Sequence, residues 1–397
     1  MIKPQTLKGF RDFLPKEAIA RQWLIKKIVE VFEKFGFDPI ETPALEYEEV
    51  LLGKYGEDGD KLLYRFKDLG ERKIAMRYDQ TVPTSRVVAQ YPDLPKPFKR
   101  YQIQPVWRAE NPQRGRFREF MQCDADIFGS ASPLADSEII ALSYFVLKNI
   151  GFEKFTIYYN DRTLLNNLSP AALRILDKLS KIGKERVKEE LRKNNFPENL
   201  FDELEKNKPT PILKEIIDYA VKLGVYQNVL SFSPTLARGL DYYTSVIFEI
   251  TIEGYDAGSV CGGGRYDKLI GMFTESDVPA TGFAFGFDRL LEAAREFNLI
   301  PQKQTNTKIL VTVFSKEILG QSLSLTSKLR NNGFAAEIYP DLSAKLEKQL
   351  KYADKKGIPY IVIIGPDEAE NATVTLKKLK EKTQVTVSID HLFELIN

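Results

Sequence analysis

The chain has 397 residues, 57 Lys or Arg against 55 Asp or Glu, a net charge of +2 and 43% apolar residues. That length and apolar content imply two or three cores, and the near balance of charge excludes a polyanion binder held by net charge alone. Two cysteines (Cys123, Cys261), one histidine (His391) and the lack of any run of about 18 apolar residues argue against a disulfide framework, imidazole catalysis and a membrane span, and a soluble cytoplasmic protein is expected.

After Pro15, a favourable helix start, the residues Ala20, Leu24, Ile28, Val31, Phe32 and Phe35 recur at spacings of three and four, which predicts an amphipathic helix closed by Gly36. A short strand is expected over Ile40–Pro43. From Phe98 to Asp126 the pattern predicts a β-hairpin whose arms flank the loop N-P-Q-R-G at 111–115. Strand side chains alternate between faces, so Arg116, Arg118, Phe120, Gln122, Asp124 and Asp126 share one face. Phe117, Met121, Cys123, Ala125 and Ile127 share the other, with Glu119 out of place among them. The second set reads as core. The first set needs polar partners, and either a bound ligand or a solvated sheet face would supply them. Seven Lys or Arg lie between Lys96 and Arg118 against the single acid Glu110. Such local basic charge, rich in guanidinium forks, suits phosphate oxygens.

Between Asp161 and Leu230 the composition is charged and helix-forming, with thirteen basic and eleven acidic residues, and reads as an insertion of short helices or simply as a solvated surface. Gly262–Gly264 mark a turn, a bulge or a close approach of backbone to a ligand. Thr281–Leu290 reads as a strand entering a helix. A linker near 298–307 leads to βαβαβ order from Lys308: strands at 308–314, 335–339 and 360–365, helices at 320–331 and 343–356, then a final strand and helix. This is a separate α/β domain with a largely parallel sheet. Neither a P-loop nor a G-x-G-x-x-G turn is present.

Four segments carry a family resemblance. W-R-A-E at Trp107–Glu110 resembles motif 2 of class II aminoacyl-tRNA synthetases, T-G-F-A-F-G-F-D-R-L at 281–290 resembles motif 3, and the first helix with F-D-P-I-E-T-P resembles motif 1. L-A-R-G-L-D-Y-Y-T-S-V-I-F at 236–248 and C-G-G-G-R-Y-D at 261–267 resemble the two segments peculiar to the histidyl-tRNA synthetase family. The resemblance spans Gly9 to about Asn397. It implies an α+β catalytic domain on an antiparallel class II sheet (1–302, with the helical insertion 161–230 approaching the tRNA acceptor arm) and a C-terminal α/β anticodon-binding domain (307–397).

The resemblance also implies a reaction and a set of residues. L-histidine and ATP, with Mg²⁺, would give histidyl-adenylate and pyrophosphate, and the histidyl group would pass to the 3′ end of histidine tRNA. Arg108 and Arg238 would flank the α-phosphate, Arg238 standing where most class II enzymes place an extra Mg²⁺. Arg289 and Arg116 would reach the distal phosphates, and Glu110 the adenine. Asp79, Thr81 and Gln122 would hold the α-amino group, and Asp126 and Tyr243, beside Tyr242, the imidazole. Gln113 and Arg114 would read the extra 5′ guanosine of the tRNA, and Lys345, Lys348, Lys351, Lys355 and Lys356 are candidates for an RNA face of the last domain. A homodimer is implied. R-Y-D-Q-T at 77–81 resembles the eukaryotic and archaeal form of the family, whereas the short N-P-Q-R-G-R loop resembles the bacterial one. The competing expectation is a non-aminoacylating paralogue, the regulatory subunit of ATP phosphoribosyltransferase, which generally lacks the C-terminal domain.

Overall fold

The computed structural model describes residues 1–52, 62–112, 117–238 and 242–396. They form two compact units, Met1–Asp12 with Leu24–Ile300, and Phe13–Trp23 with Pro301–Asn397.

The first helix runs Pro15–Lys34 and buries Ala20, Leu24, Ile28, Val31 and Phe32. Gly36 then takes a left-handed φ of +73°, which glycine adopts without steric cost. The strand that follows is only Asp38–Pro39 (β1) and not Ile40–Pro43. The carbonyls of Thr42 and Pro43 accept from the buried Arg77 guanidinium, at 2.6 and 3.3 Å, so these groups are satisfied without a strand ladder.

Three short strands, β2 (Leu45–Tyr47), β3 (Arg65–Lys67) and β4 (Lys73–Met76), form a small antiparallel sheet. The principal sheet adds β5 (Phe98–Trp107), β6 (Glu119–Phe128), β7 (Phe155–Asp161), β8 (Leu230–Phe232), β9 (Val246–Ile252), β10 (Cys261–Arg265) and β11 (Ala280–Gly286). Its order is β1-β5-β6-β11-β10-β9-β7-β8. It is antiparallel except at its two edges, where β1 pairs with β5 and β8 with β7 in parallel. The helix Pro133–Ile150 packs against β11, β6 and β10. Ser132 caps it, accepting from Leu134 N at 3.2 Å, and it stops at Gly151 with φ +112°.

The chain leaves the sheet edge after β7 and returns at β8. Between them the helices Pro170–Leu176, Lys184–Lys193 and Leu200–Glu205 enclose their own core of Leu173, Leu176, Val187, Leu191 and Phe201. The helix Pro211–Lys222 instead packs on Pro133–Ile150, where Ser137 Oγ donates to the Ile216 carbonyl at 2.8 Å.

In the second unit β12 (Ile309–Val311), β13 (Ala336–Ile338) and β14 (Tyr360–Ile363) are parallel, but β15 (Thr373–Lys378) and β16 (Thr383–Ser388) run antiparallel. The sheet is therefore mixed, and the expected single last strand is a hairpin. The connections into β15 and β16 are shorter than the dozen or so residues that a parallel crossover needs. His391 is exposed on the last helix, its Nδ1 2.8 Å from Glu394.

Candidate active site

In the hairpin β5–β6, Arg100 lies opposite Asp126, Gln102 opposite Asp124 and Gln104 opposite Gln122. Directly opposed residues share a face, so the polar positions of both strands point the same way. Cys123, Ala125 and Ile127 form core on the other face.

The polar positions of β5 hold neighbouring segments in place. Arg77 donates to Gln104 Oε1 at 2.8 Å and to the Pro105 carbonyl at 3.0 Å, and Gln102 Nε2 donates to Thr42 Oγ1 at 2.9 Å. Gln80 Nε2 bonds the Gln104 carbonyl at 2.8 Å. These contacts fix the turn that presents Asp79 at the start of the helix Thr81–Gln90. The basic charge of the hairpin is correspondingly smaller than its residue count implies. Lys99 pairs with Glu138 and Arg100 with Asp126, each at 2.5 Å.

Above this layer is a cavity of about 780 Å³. Asp79, Thr81, Gln122, Asp126, Tyr242, Tyr243, Arg108, Glu110, Arg238 and Arg289 all line it. A smaller recess of about 320 Å³ adjoins it beside Phe120 and Phe287, sharing Arg108, Glu110, Arg238 and Arg289. Arg108 Nε donates to the Tyr78 carbonyl at 3.2 Å, with its guanidinium 5.1 Å from the Phe120 ring centroid. Arg116, Gln113 and Arg114 lie outside the described residues.

At the acidic end, burial raises the Asp79 carboxyl to about 6 against the pull of Arg108 and Arg100. Burial also pushes Asp126 up, opposed by Arg100 and Tyr266. Both Asp126 oxygens have partners: the Tyr266 hydroxyl donates to Oδ1, and Arg100 pairs with Oδ2. Gln122 Oε1 and both oxygens of Asp124 are buried without a partner among the described residues, and burial pushes the Asp124 carboxyl far up.

At the cationic end, the Arg238 guanidinium lies over β10. Burial pulls its pKa down and nearby Tyr243 and Glu249 push it up by more, so it stays charged. The glycines of β10 form no turn. Gly262 leaves the space that the Arg238 guanidinium fills, a built Cβ meeting Nη1 at 1.6 Å, and Gly282 on β11 leaves space for Asp126, whose Oδ1 would lie 1.9 Å from a Cβ.

Four further residues of this site are given no role by the sequence reading, although Tyr266 lies inside the C-G-G-G-R-Y-D segment. Tyr266 bonds Asp126, Arg100 pairs with it, Asp177 joins the cavity from the helical insertion, and Glu249 contacts Arg238 at 3.1 Å. Arg100 was accessible in principle, because a five-residue loop at 111–115 sets it opposite Asp126. Nothing local in the sequence marks Asp177.

A mainly antiparallel sheet flanked by helices, with three arginines and a row of carboxylates converging on one cavity, defines a class II aminoacyl-tRNA synthetase catalytic unit. Residues 9–198 and 159–290 match the family described as histidyl-tRNA synthetase, and 308–397 match an anticodon binding domain. The chain is 39% identical to a histidine–tRNA ligase of Cytophaga hutchinsonii, covering 99% of both chains, and 38% identical to one of Korarchaeum cryptofilum, covering 98% of both. The crystal structure of histidyl-tRNA synthetase from Nostoc sp. PCC 7120 superposes with a TM-score of 0.86 at 31% identity, covering 100% of this chain and 99% of that one. The chain belongs to the histidyl-tRNA synthetase family.

Proposed function

We propose that this chain activates L-histidine with ATP and transfers the histidyl group to histidine tRNA. A carboxylate oxygen of histidine bonds the α-phosphorus as the bond to the bridging oxygen breaks and pyrophosphate leaves. A 3′-terminal ribose hydroxyl of the tRNA then displaces AMP. No covalent bond to the protein forms, so the chain contributes alignment and fixed charge.

One observation carries the reading: the acidic and cationic sets, drawn from segments spread over 79–289, line a single cavity. In this reading Arg108 and Arg238 flank the α-phosphate, Arg289 and Arg116 the distal phosphates, and Glu110 the adenine. Asp79, Thr81 and Gln122 take the ammonium group. Tyr243, beside Tyr242, bonds the imidazole together with Asp126, which is pre-set by Arg100 and Tyr266. Enzymes of this class use ATP, generally with Mg²⁺. Mg²⁺ at a nucleotide site is held mainly by the phosphates with one or two carboxylates; among the described residues no group of three or more His, Cys, Asp or Glu could hold a metal, and no step is assigned to one.

The proposal extends to the remaining parts. Residues 1–302 carry the chemistry and 161–230 approach the acceptor arm. Gln113 and Arg114 meet the 5′ guanosine, 307–397 bind the anticodon, and two chains pair in the cytoplasm through the first helix and strand. No helix among the described residues is long and apolar enough to cross a membrane. The regulatory-subunit alternative is disfavoured by the anticodon-domain match at 308–397 and by Arg108, Glu110 and Arg238 all facing the cavity.

Histidine-dependent ATP–pyrophosphate exchange by the purified chain tests the reading. Exchange that needs histidine supports it, and Arg238→Ala should lower the rate by about 10²–10³. Exchange by Arg238→Ala within threefold of the unaltered chain removes the role given to Arg238.

A further inference from the structure

Three hydrogen bonds link the two arginines placed at opposite ends of the triphosphate. Arg238 Nη1 donates to Glu249 Oε1 at 3.1 Å, Ser259 Oγ donates to that same oxygen at 3.1 Å, and Arg289 Nη1 donates to the Ser259 carbonyl at 3.1 Å. Arg238 follows β8, whereas Arg289 sits on the helix Phe287–Glu296, so no shared element of secondary structure sets their separation. Resting on the reading of the cavity given above, we propose that Glu249 and Ser259 are positioning residues: a bridge that fixes the spacing of the Arg238 and Arg289 guanidiniums before ATP arrives.

The physical argument starts from the side chains. An arginine loses about 2 kcal/mol of rotamer entropy when held in one geometry, and charge stabilises a transition state most when it needs no reorganisation. Glu249 faces this space because it lies opposite Gly262 in the β9–β10 pair. A site that needed only positive potential would gain nothing from a carboxylate that neutralises one of its three arginines. What Glu249 adds is direction. It engages Nη1 of Arg238 and leaves other N–H groups of the fork for a ligand. Ser259 then ties that fork to Arg289 through its own hydroxyl and carbonyl.

The test compares Ser259→Ala, Ser259→Thr, Glu249→Gln, Arg238→Ala and Arg289→Ala, with Ser259→Ala also placed in each arginine background, by single-turnover adenylate formation and by exchange kinetics. A bridge predicts that Ser259→Ala lowers kcat about tenfold, leaves the KM for ATP and histidine within about threefold and leaves Tm unchanged. Ser259→Thr, which keeps a hydroxyl, should restore the rate. Glu249→Gln, which keeps the acceptor oxygen, should lose less than Ser259→Ala. In either arginine background Ser259→Ala should cost less than about twofold, because the strut then has nothing to join. Ser259→Ala with a normal rate, or a loss that persists undiminished in both arginine backgrounds, overturns the bridge. If Ser259→Ala acts like the unaltered chain while Arg238→Ala is inactive, the bridge alone falls. If Arg238→Ala remains active within threefold, the phosphate reading falls and the bridge with it.

Discussion

A side chain at Gly262 would place its Cβ 1.6 Å from Nη1 of Arg238 and 2.3 Å from Cζ, so glycine here is a condition for that guanidinium's position. The obstacle is the far end of a flexible side chain, which can move while the strand stays. Gly262→Ala is therefore expected to fold with a near-normal Tm and to lose adenylate formation by about 10²–10³. At Gly263 the added Cβ would meet the Gly282 carbonyl at 2.4 Å and the Phe283 Cα at 2.8 Å. That is backbone, so Gly263→Ala should lower Tm sharply. Thermal melts and pyrophosphate exchange on the two variants separate the effects, and equal losses of stability would contradict the distinction.

The Asp79 carboxyl, raised to about 6 by burial, makes a signed prediction. Between its ordinary 3.8 and about 6 the folded chain holds a proton that the unfolded chain has lost, so this group's contribution to stability falls as pH rises through that window and is constant above it. The full cost is about 3 kcal/mol, at about 1.4 kcal/mol per pKa unit. Asp79→Asn keeps an acceptor for the Val82 N–H, which lies 3.2 Å from Oδ1. Without ligand it should be more stable than the unaltered chain at pH 7.5, by up to that amount, with the gap closing near pH 4, and it should lose histidine activation. Urea unfolding at both pH values checks it. A gap that widens on acidification reverses the sign and refutes the assignment.

Arg100 and Asp126 form a buried pair. Removing one partner leaves an uncompensated charge, so Arg100→Leu should cost about 3–5 kcal/mol in unfolding free energy. Asp126→Asn keeps the shape but leaves the buried Arg100 charge uncompensated, so it too should lower stability, and in the reading proposed above it weakens the bond to the substrate imidazole. Loss of a charge-assisted bond worth about 1.5–3 kcal/mol should raise the histidine KM at least tenfold and leave the ATP KM within twofold. A histidine complex with the imidazole more than about 5 Å from Asp126, beyond the hydrogen-bond range of about 2.7–3.2 Å, would reduce Asp126 to a sheet strut.

Of the five lysines proposed for an RNA face, Lys348, Lys351 and Lys356 pair with Asp341, Glu347 and Glu337, which leaves Lys345 and Lys355 as the stronger candidates. The double charge reversal Lys345→Glu with Lys355→Glu should raise the KM for histidine tRNA several-fold, with a weaker salt dependence, and leave pyrophosphate exchange unchanged. Steady-state charging at two ionic strengths measures it, and an unaltered tRNA KM would move the RNA face elsewhere.

Periodicity in the sequence determined the first helix, the β5–β6 hairpin with its two faces and the α/β order of the last unit, because each of these is encoded over neighbouring residues. The resemblance to the histidyl-tRNA synthetase family in turn singled out the ten described residues that share one cavity. Only the tertiary structure decided which polar groups serve the fold and which face the cavity. Arg100, Gln102 and Gln104 carry the same alternation signal as Gln122 and Asp126, yet the first three hold Asp126, Thr42 and Arg77. The three glycines of β10 became interpretable only when Arg238 was found lying over Gly262. Partners such as Glu249, Ser259 and Asp177 come from segments far apart in the chain. A side chain's role there depends on which distant group fills the space beside it, and no local pattern encodes that.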